Sequence, residues 1–66
     1  MGVVITKRIK ILRERANMTQ AELAILLGVN ENTISNYERG EREPSIDNLK
    51  RIAEIFGVSV DELIAD

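Results

Sequence analysis

The chain has 66 residues, 44% of them hydrophobic and 30% charged, with one Pro, four Gly and a formal net charge of −2. That length accommodates one domain, over 1–66, whose core yields roughly 3–5 kcal/mol of net stability; with no Cys and no His, a disulfide framework and a Cys/His zinc site are excluded, and pairing with a second copy is the aid that remains. No apolar run approaches the roughly 18 residues of a membrane-spanning helix, and the apolar residues 1–5 lack the flanking segments of a signal peptide, so a cytoplasmic location is expected.

Helical periodicity dominates the chain. Ile5, Ile9, Leu12 and Ala16 form an i, i+4, i+7, i+11 stripe that predicts a helix over 6–16, with Thr6 as its N-cap. Val3, Val4 and Ile5 suit either a short strand or a frayed start. Thr19-Gln20-Ala21-Glu22 reads as a capping box and opens a second helix over 20–27, with Leu23, Ala24 and Leu27 on its apolar face. Gly28 stops it, being able to take a left-handed conformation that a Cβ disfavours. Asn30 caps a third helix over 31–38, whose apolar face is Ile34 and Tyr37 and which Gly40 ends. Pro44 forbids helix across the polar loop 40–44. Ser45 caps a fourth helix over 45–56, with Ile46, Leu49, Ile52, Ala53 and Phe56 on one side and Gly57 after it. Ser59 and Glu62 form a second capping box that opens a fifth helix over 60–65 around Leu63.

The second and third helices are the informative pair. Two short helices joined by about three residues at a steep angle form a helix-turn-helix. Ala24 is small enough for close helix approach, Gly28 tolerates the turn, and Leu23, Leu27, Val29, Ile34 and Tyr37 can anchor both helices on a third. The polar side of the third helix (Asn30, Glu31, Asn32, Thr33, Asn36 and Arg39) is then left to solvent or to a DNA major groove.

Met18-Thr-Gln-Ala-Glu-Leu-Ala, Leu27-Gly-Val-Asn, Thr33-Ile-Ser-Asn-Tyr-Glu-Arg-Gly40 and Pro44-Ser together resemble the phage-repressor and Cro-like helix-turn-helix family, also called the XRE family. The resemblance covers residues 6–64. It implies an all-α, five-helix lambda-repressor-like bundle, with the recognition helix 30–38 in the major groove, and a homodimer on a palindromic operator. The function it implies is that of a sequence-specific double-stranded-DNA-binding transcription regulator, a repressor.

Asn32 and Asn36 are four apart and share a helix face. Asn can pair bidentately with adenine, and Glu can accept from the cytosine amino group. The family's base-reading positions match Glu31, Asn32 and Asn36 here, with Asn30 joining them; a merely solvated helix face has the same composition. Glu31 also suits the first turn through the helix dipole. By resemblance, Gln20 bonds a phosphate and buttresses the recognition helix, while Arg39 and Arg42 meet phosphates from the end of that helix and the loop beyond. Thr19 and Thr33 complete the expected phosphate contacts, though capping alone explains Thr19. Glu41 and Glu43 depart from the family, which favours Lys or Arg in this loop, and they weaken the expected hold on the DNA backbone. The resemblance also pairs Arg13 with Glu38, fixing the recognition helix on the first helix. Lys7, Arg8 and Lys10 either approach phosphate or only solubilise the first helix, and the second reading is preferred.

Residues 1–43 carry a net +1 and residues 44–66 a net −3, so an anionic partner should meet the N-terminal two-thirds. Of the apolar residues left outside the core (Val3, Val4, Ile11, Ile25, Ile55, Val60 and Ile64), Ile55, Val60 and Ile64 fall where the family dimerises, or else are buried within one subunit. Catalysis is not expected: thiol and imidazole are missing, no glycine-rich phosphate loop is present, and serines without a base are weak nucleophiles. No metal, cofactor, small-molecule ligand or membrane partner is implied. A competing reading keeps the helix-turn-helix as the scaffold of a protein-interaction module, antitoxin-like or an adaptor. The acidic C-terminal third and Glu41/Glu43 favour it. In a third reading the chain is the DNA-binding piece of a longer regulator, although the end just after the fifth helix leaves no room for a sensor domain.

Overall fold

The computed structural model describes Thr6 and residues 8–64. These form five helices: α1 (Arg8–Arg15), α2 (Gln20–Leu27), α3 (Glu31–Arg39), α4 (Ile46–Phe56) and α5 (Val60–Ile64). Four of them stop in the same way. The chain enters the left-handed region at Asn17 (φ 54), Gly28 (φ 80), Gly40 (φ 74) and Gly57 (φ 68). The next residue's N–H then bonds a carbonyl five residues back: Met18 to Arg13 (3.0 Å), Val29 to Ala24 (3.0 Å), Glu41 to Asn36 (2.9 Å) and Val58 to Ala53 (3.0 Å). These bonds satisfy carbonyls that a helix end would otherwise leave open. Asn17 performs this turn without a glycine, Asn being among the few residues that visit the left-handed region at modest cost.

The helix starts are equally well defined. Thr19 Oγ1 accepts from the Glu22 N–H and Glu22 Oε1 accepts from the Thr19 N–H, closing the capping box at α2. Ser59 and Glu62 do the same at α5. Asn30 and Ser45 accept from the N–H groups of Thr33 and Asn48 at the starts of α3 and α4.

Ile9, Leu23, Ala24, Leu27, Ile34, Tyr37, Leu49, Ile52, Ala53 and Leu63 form one core to which every helix contributes. α2 packs on α3, α4 on α5 and α2, and α1 lies against α3, α4 and α5. Two further bonds fasten α3. Thr6 donates its buried hydroxyl to the Tyr37 carbonyl at 2.6 Å, and Asn48 Nδ2 donates to the Tyr37 hydroxyl at 3.3 Å.

The boundaries differ from the sequence reading chiefly at α1, which runs Arg8–Arg15 rather than 6–16. Thr6 spends its hydroxyl on Tyr37, 31 residues away, instead of on the local cap expected of it. Ala16 lies beyond the last helical residue and is exposed, because the turn at Asn17 carries it off the apolar stripe. Ile46 is 71% exposed although its spacing matches the core face of α4. It is the first residue of that helix, and Cα–Cβ bonds tilt toward a helix N-terminus, so its side chain projects past the helix end. Ile5 and the suggested strand at Val3–Ile5 lie outside the described residues.

At Gly28 a Cβ would meet nothing within 4 Å, so substitution there tests backbone conformation alone. Gly28→Ala is expected to cost about 1–2 kcal/mol, the strain of a left-handed L-residue. The thermal midpoint followed by circular dichroism should fall by roughly 4–8 °C per kcal/mol for a domain of this size. An unchanged midpoint would mean that the turn relaxes elsewhere.

Candidate nucleic-acid interface

α3 is held so that one side faces the core and the other faces outward. Thr33, Ile34 and Tyr37 are its buried residues. On the opposite side Asn30, Glu31 and Asn32 are exposed, and Asn36 is half-buried. Helical spacing alone produces this division, since 31, 32, 35, 36 and 39 fall on the arc away from 33, 34 and 37.

The C-terminal end of α3 is braced by a network of side chains. Arg13 Nε donates to Glu38 Oε2 at 2.7 Å and Arg13 Nη2 to Glu38 Oε1 at 3.1 Å, a two-pronged bridge from α1 to α3. Arg13 Nη1 donates to the Met18 carbonyl at 2.7 Å, tying in the loop before α2. Gln20 Nε2 donates to Glu38 Oε1 at 3.0 Å from the first residue of α2. The two charged side chains retain only 11% and 3% of their exposure. Among the described residues no buried side-chain nitrogen or oxygen lacks a partner.

The bond to Glu38 raises the proton affinity of Arg13 above its ordinary value against the opposing pull of desolvation, and the charges of Glu38 and Glu14 add to the rise. A base whose folded-state affinity is raised stabilises the fold at every pH below its unfolded value. That contribution is lost only as the pH climbs through the folded value, so Arg13 holds the bridge throughout the neutral range.

The expected contact residues fall into several settings. Gln20 lies beside α3 with one amide N–H on Glu38, and its amide nitrogen keeps a second N–H as a donor. Thr19 is exposed and acts as the α2 cap. Thr33 is 9% exposed, and its hydroxyl donates to Asn30 Oδ1 at 3.1 Å, so it supports Asn30 from behind. Arg42 is exposed in the loop after α3. Arg39 turns back over its own helix to Ser35, Asn36 and Glu41. Ile55 and Val60 are half-buried against the core, while Ile64 is 37% exposed.

Several pairings were not foreseen from the sequence. Ser35 and Asn36 stand four and three residues before Arg39, a spacing that marks neighbours on a helix and could have revealed that group. The Met18 carbonyl beneath Arg13, Asn48 against Tyr37, and Arg51 Nη2 on the Leu26 carbonyl at 3.3 Å depend on tertiary approach and leave no local signal.

Breaking one side of the brace should be severe. Arg13→Met leaves the Glu38 carboxylate enclosed without its cation, at a cost of roughly 3–5 kcal/mol. That is comparable with the roughly 3–5 kcal/mol a core of this size supplies, so the variant should be largely unfolded at 25 °C by circular dichroism. Adding Glu38→Leu removes the stranded charge and should restore much of the helicity. A single variant that melts like the parent chain would show that solvent reaches the carboxylate.

A family model described as helix-turn-helix matches residues 9–63. The HTH-type transcriptional regulator ImmR of Bacillus subtilis (strain 168) is 41% identical over 58 residues, covering 88% of this chain and 46% of that protein. The cryptic phage CTXphi transcriptional repressor RstR of Vibrio cholerae is 33% identical over 61 residues, covering 92% of this chain and 55% of that one. The chain thus spans about half the length of these relatives. Among solved structures, the P22 c2 repressor in complex with a synthetic operator superposes with a TM-score of 0.86 at 33% identity over 92% of each chain. The family match begins at Ile9 in α1 and ends at Leu63 in α5, both fully buried, so it reaches into all five helices and includes the brace between them. This chain belongs to the helix-turn-helix family of the phage-repressor, or XRE, type.

Proposed function

We propose that the chain, acting as a single domain over 1–66, is a sequence-specific double-stranded-DNA-binding transcription regulator. In this reading it is a repressor that works in the cytoplasm as a homodimer on a palindromic operator. The observation that carries the reading is the outward polar face of α3, locked in place by the Arg13–Glu38–Gln20 brace. A rigid helix presenting Asn30, Glu31, Asn32 and Asn36 suits a major groove, where Asn and Glu can distinguish base edges by their hydrogen bonds. The likeness to a repressor solved with its operator supports that placement.

In this reading Asn32 and Asn36 read bases, with Glu31 and Asn30 at the end of the helix that enters the groove. Thr19, Gln20 and Arg42 meet phosphates around it. Thr33 acts through the cap it shares with Asn30, and Arg39 is available to the backbone when it leaves its own helix. No helix among the described residues is long and apolar enough to cross a membrane. The dimer contact is assigned to the α4–α5 side, where Ile64 offers exposed apolar surface one helical turn from Val60 and Ile55 is half-buried on α4. Two recognition helices would then address half-sites roughly 34–36 Å apart.

Selection of bound sequences from a random duplex pool tests the reading directly. It should enrich a palindrome whose half-sites lie about one helical turn apart. Asn36→Ala should loosen one base position per half-site, at a cost of about 1–3 kcal/mol, with little change on random duplex. Arg42→Gln should instead weaken all duplexes alike and lower the salt slope by about one. No detectable duplex binding at low salt would overturn the proposal in favour of a protein-interaction module. Ile64→Lys should shift sedimentation toward the monomer if the assigned contact is right.

A further inference from the structure

Arg39 is the last residue of α3, and its guanidinium is shared among three acceptors. It donates to Ser35 Oγ, to Asn36 Oδ1 at 2.7 Å and to Glu41 Oε1 at 3.1 Å. Ser35 and Asn36 lie one turn back on the same helix face. Glu41 reaches the group because the chain reverses at Gly40 (φ 74), and the Glu41 N–H bonds the Asn36 carbonyl at 2.9 Å. Asn36 is therefore gripped twice from the loop side. Its main-chain carbonyl is held by Glu41, and its side-chain oxygen is held by the arginine that Glu41 holds.

This arrangement has a consequence for recognition. A carboxamide has nearly the same shape after a half-turn, but the turn exchanges an acceptor for a pair of donors. Arginine has donors only, so the edge of Asn36 that faces Arg39 must be the oxygen. The Nδ2 edge is then left for a base. At the same time Glu41 sets a negative charge against Arg39, which could otherwise swing to a phosphate. The pair is exposed, with 55% and 60% of the side-chain surfaces open, so it biases this choice without locking it.

We infer that Glu41 is a specificity-determining residue. Acting through Arg39, it sets which edge of Asn36 meets the DNA and withholds the charge of Arg39 from the backbone. It is a positioning residue that touches no base itself. The inference deepens the reading of α3 as the base-reading helix and rests on it.

The test compares the parent chain with Glu41→Ala, Arg39→Lys and Asn36→Ala in three measurements: selection from random duplexes, salt dependence on a random duplex, and the thermal midpoint. Asn36→Ala identifies the position that Asn36 reads. At that position alone, Glu41→Ala should reduce the preference for the favoured base by about threefold to tenfold, part of what a well-made side-chain–base pair supplies. Its salt slope should steepen by about one, and its affinity for random duplex should rise roughly twofold to fivefold, as Arg39 moves to a phosphate. Arg39→Lys keeps the charge but loses the planar fork, so it should loosen the same position. The midpoints of Glu41→Ala and the parent should agree. A Glu41→Ala site identical with the parent's would overturn the inference, whether or not the salt slope changed. Loosening at every position together with a lowered midpoint would also overturn it, by showing a structural role. Failure of the parent chain to enrich any site at low salt would instead remove the DNA-reading proposal, and this inference with it.

Discussion

The bridge from Arg13 to Glu38 is the interaction on which the arrangement of α3 depends. A nine-residue helix anchored only by Ile34 and Tyr37 would be held along a line and free to rock about it. Arg13 adds a second line of contact. Its planar fork takes both oxygens of Glu38, its third nitrogen takes the Met18 carbonyl, and Gln20 closes the remaining side of the carboxylate. α1, the start of α2 and the end of α3 therefore meet at one carboxylate, and the loop before α2 joins them through the guanidinium of Arg13. Desolvating two charges offsets most of their attraction, so the bridge contributes geometry more than stability. The three bonds of Arg13 link α1 to α3 and to the loop before α2 at once.

Short elements make such placement necessary. The helices run from 5 to 11 residues, below the roughly 12–15 at which an isolated helix becomes even marginal in water. None would persist without the common core, and none has length to spare for a frayed end. The strict stops at Asn17, Gly28, Gly40 and Gly57, and the caps at Thr19, Asn30, Ser45 and Ser59, satisfy the end groups that would otherwise be open. At α3 the same polar residues that end or begin the helix also shape its outer face. Asn30 gives its oxygen to the cap, Thr33 stands behind it, and Arg39 folds back over Ser35 and Asn36. The chemistry offered to a partner is what remains after these internal bonds are made.

Much of this was legible in the chain itself, because it is written in local chemistry. The capping boxes at Thr19–Glu22 and Ser59–Glu62, the caps Asn30 and Ser45, and the glycines after α2, α3 and α4 bound those three helices and open α5 through bonds spanning only three to five residues. Apolar spacing then identified nearly the whole core, from Ile9 to Leu63. Those two signals suffice for five helices, for a short turn at Gly28, and for a polar face on α3 carrying Asn32 and Asn36. What tertiary approach alone decided was how each polar or terminal side chain is used. Thr6 serves Tyr37 across the core instead of capping α1, Gln20 turns its nitrogen to Glu38, and Asn48 meets the Tyr37 hydroxyl. The physical reason is range. A helix and its ends are determined by neighbours within a turn, whereas a side chain's hydrogen-bond partner depends on whichever group the folded chain brings within about 3 Å of it.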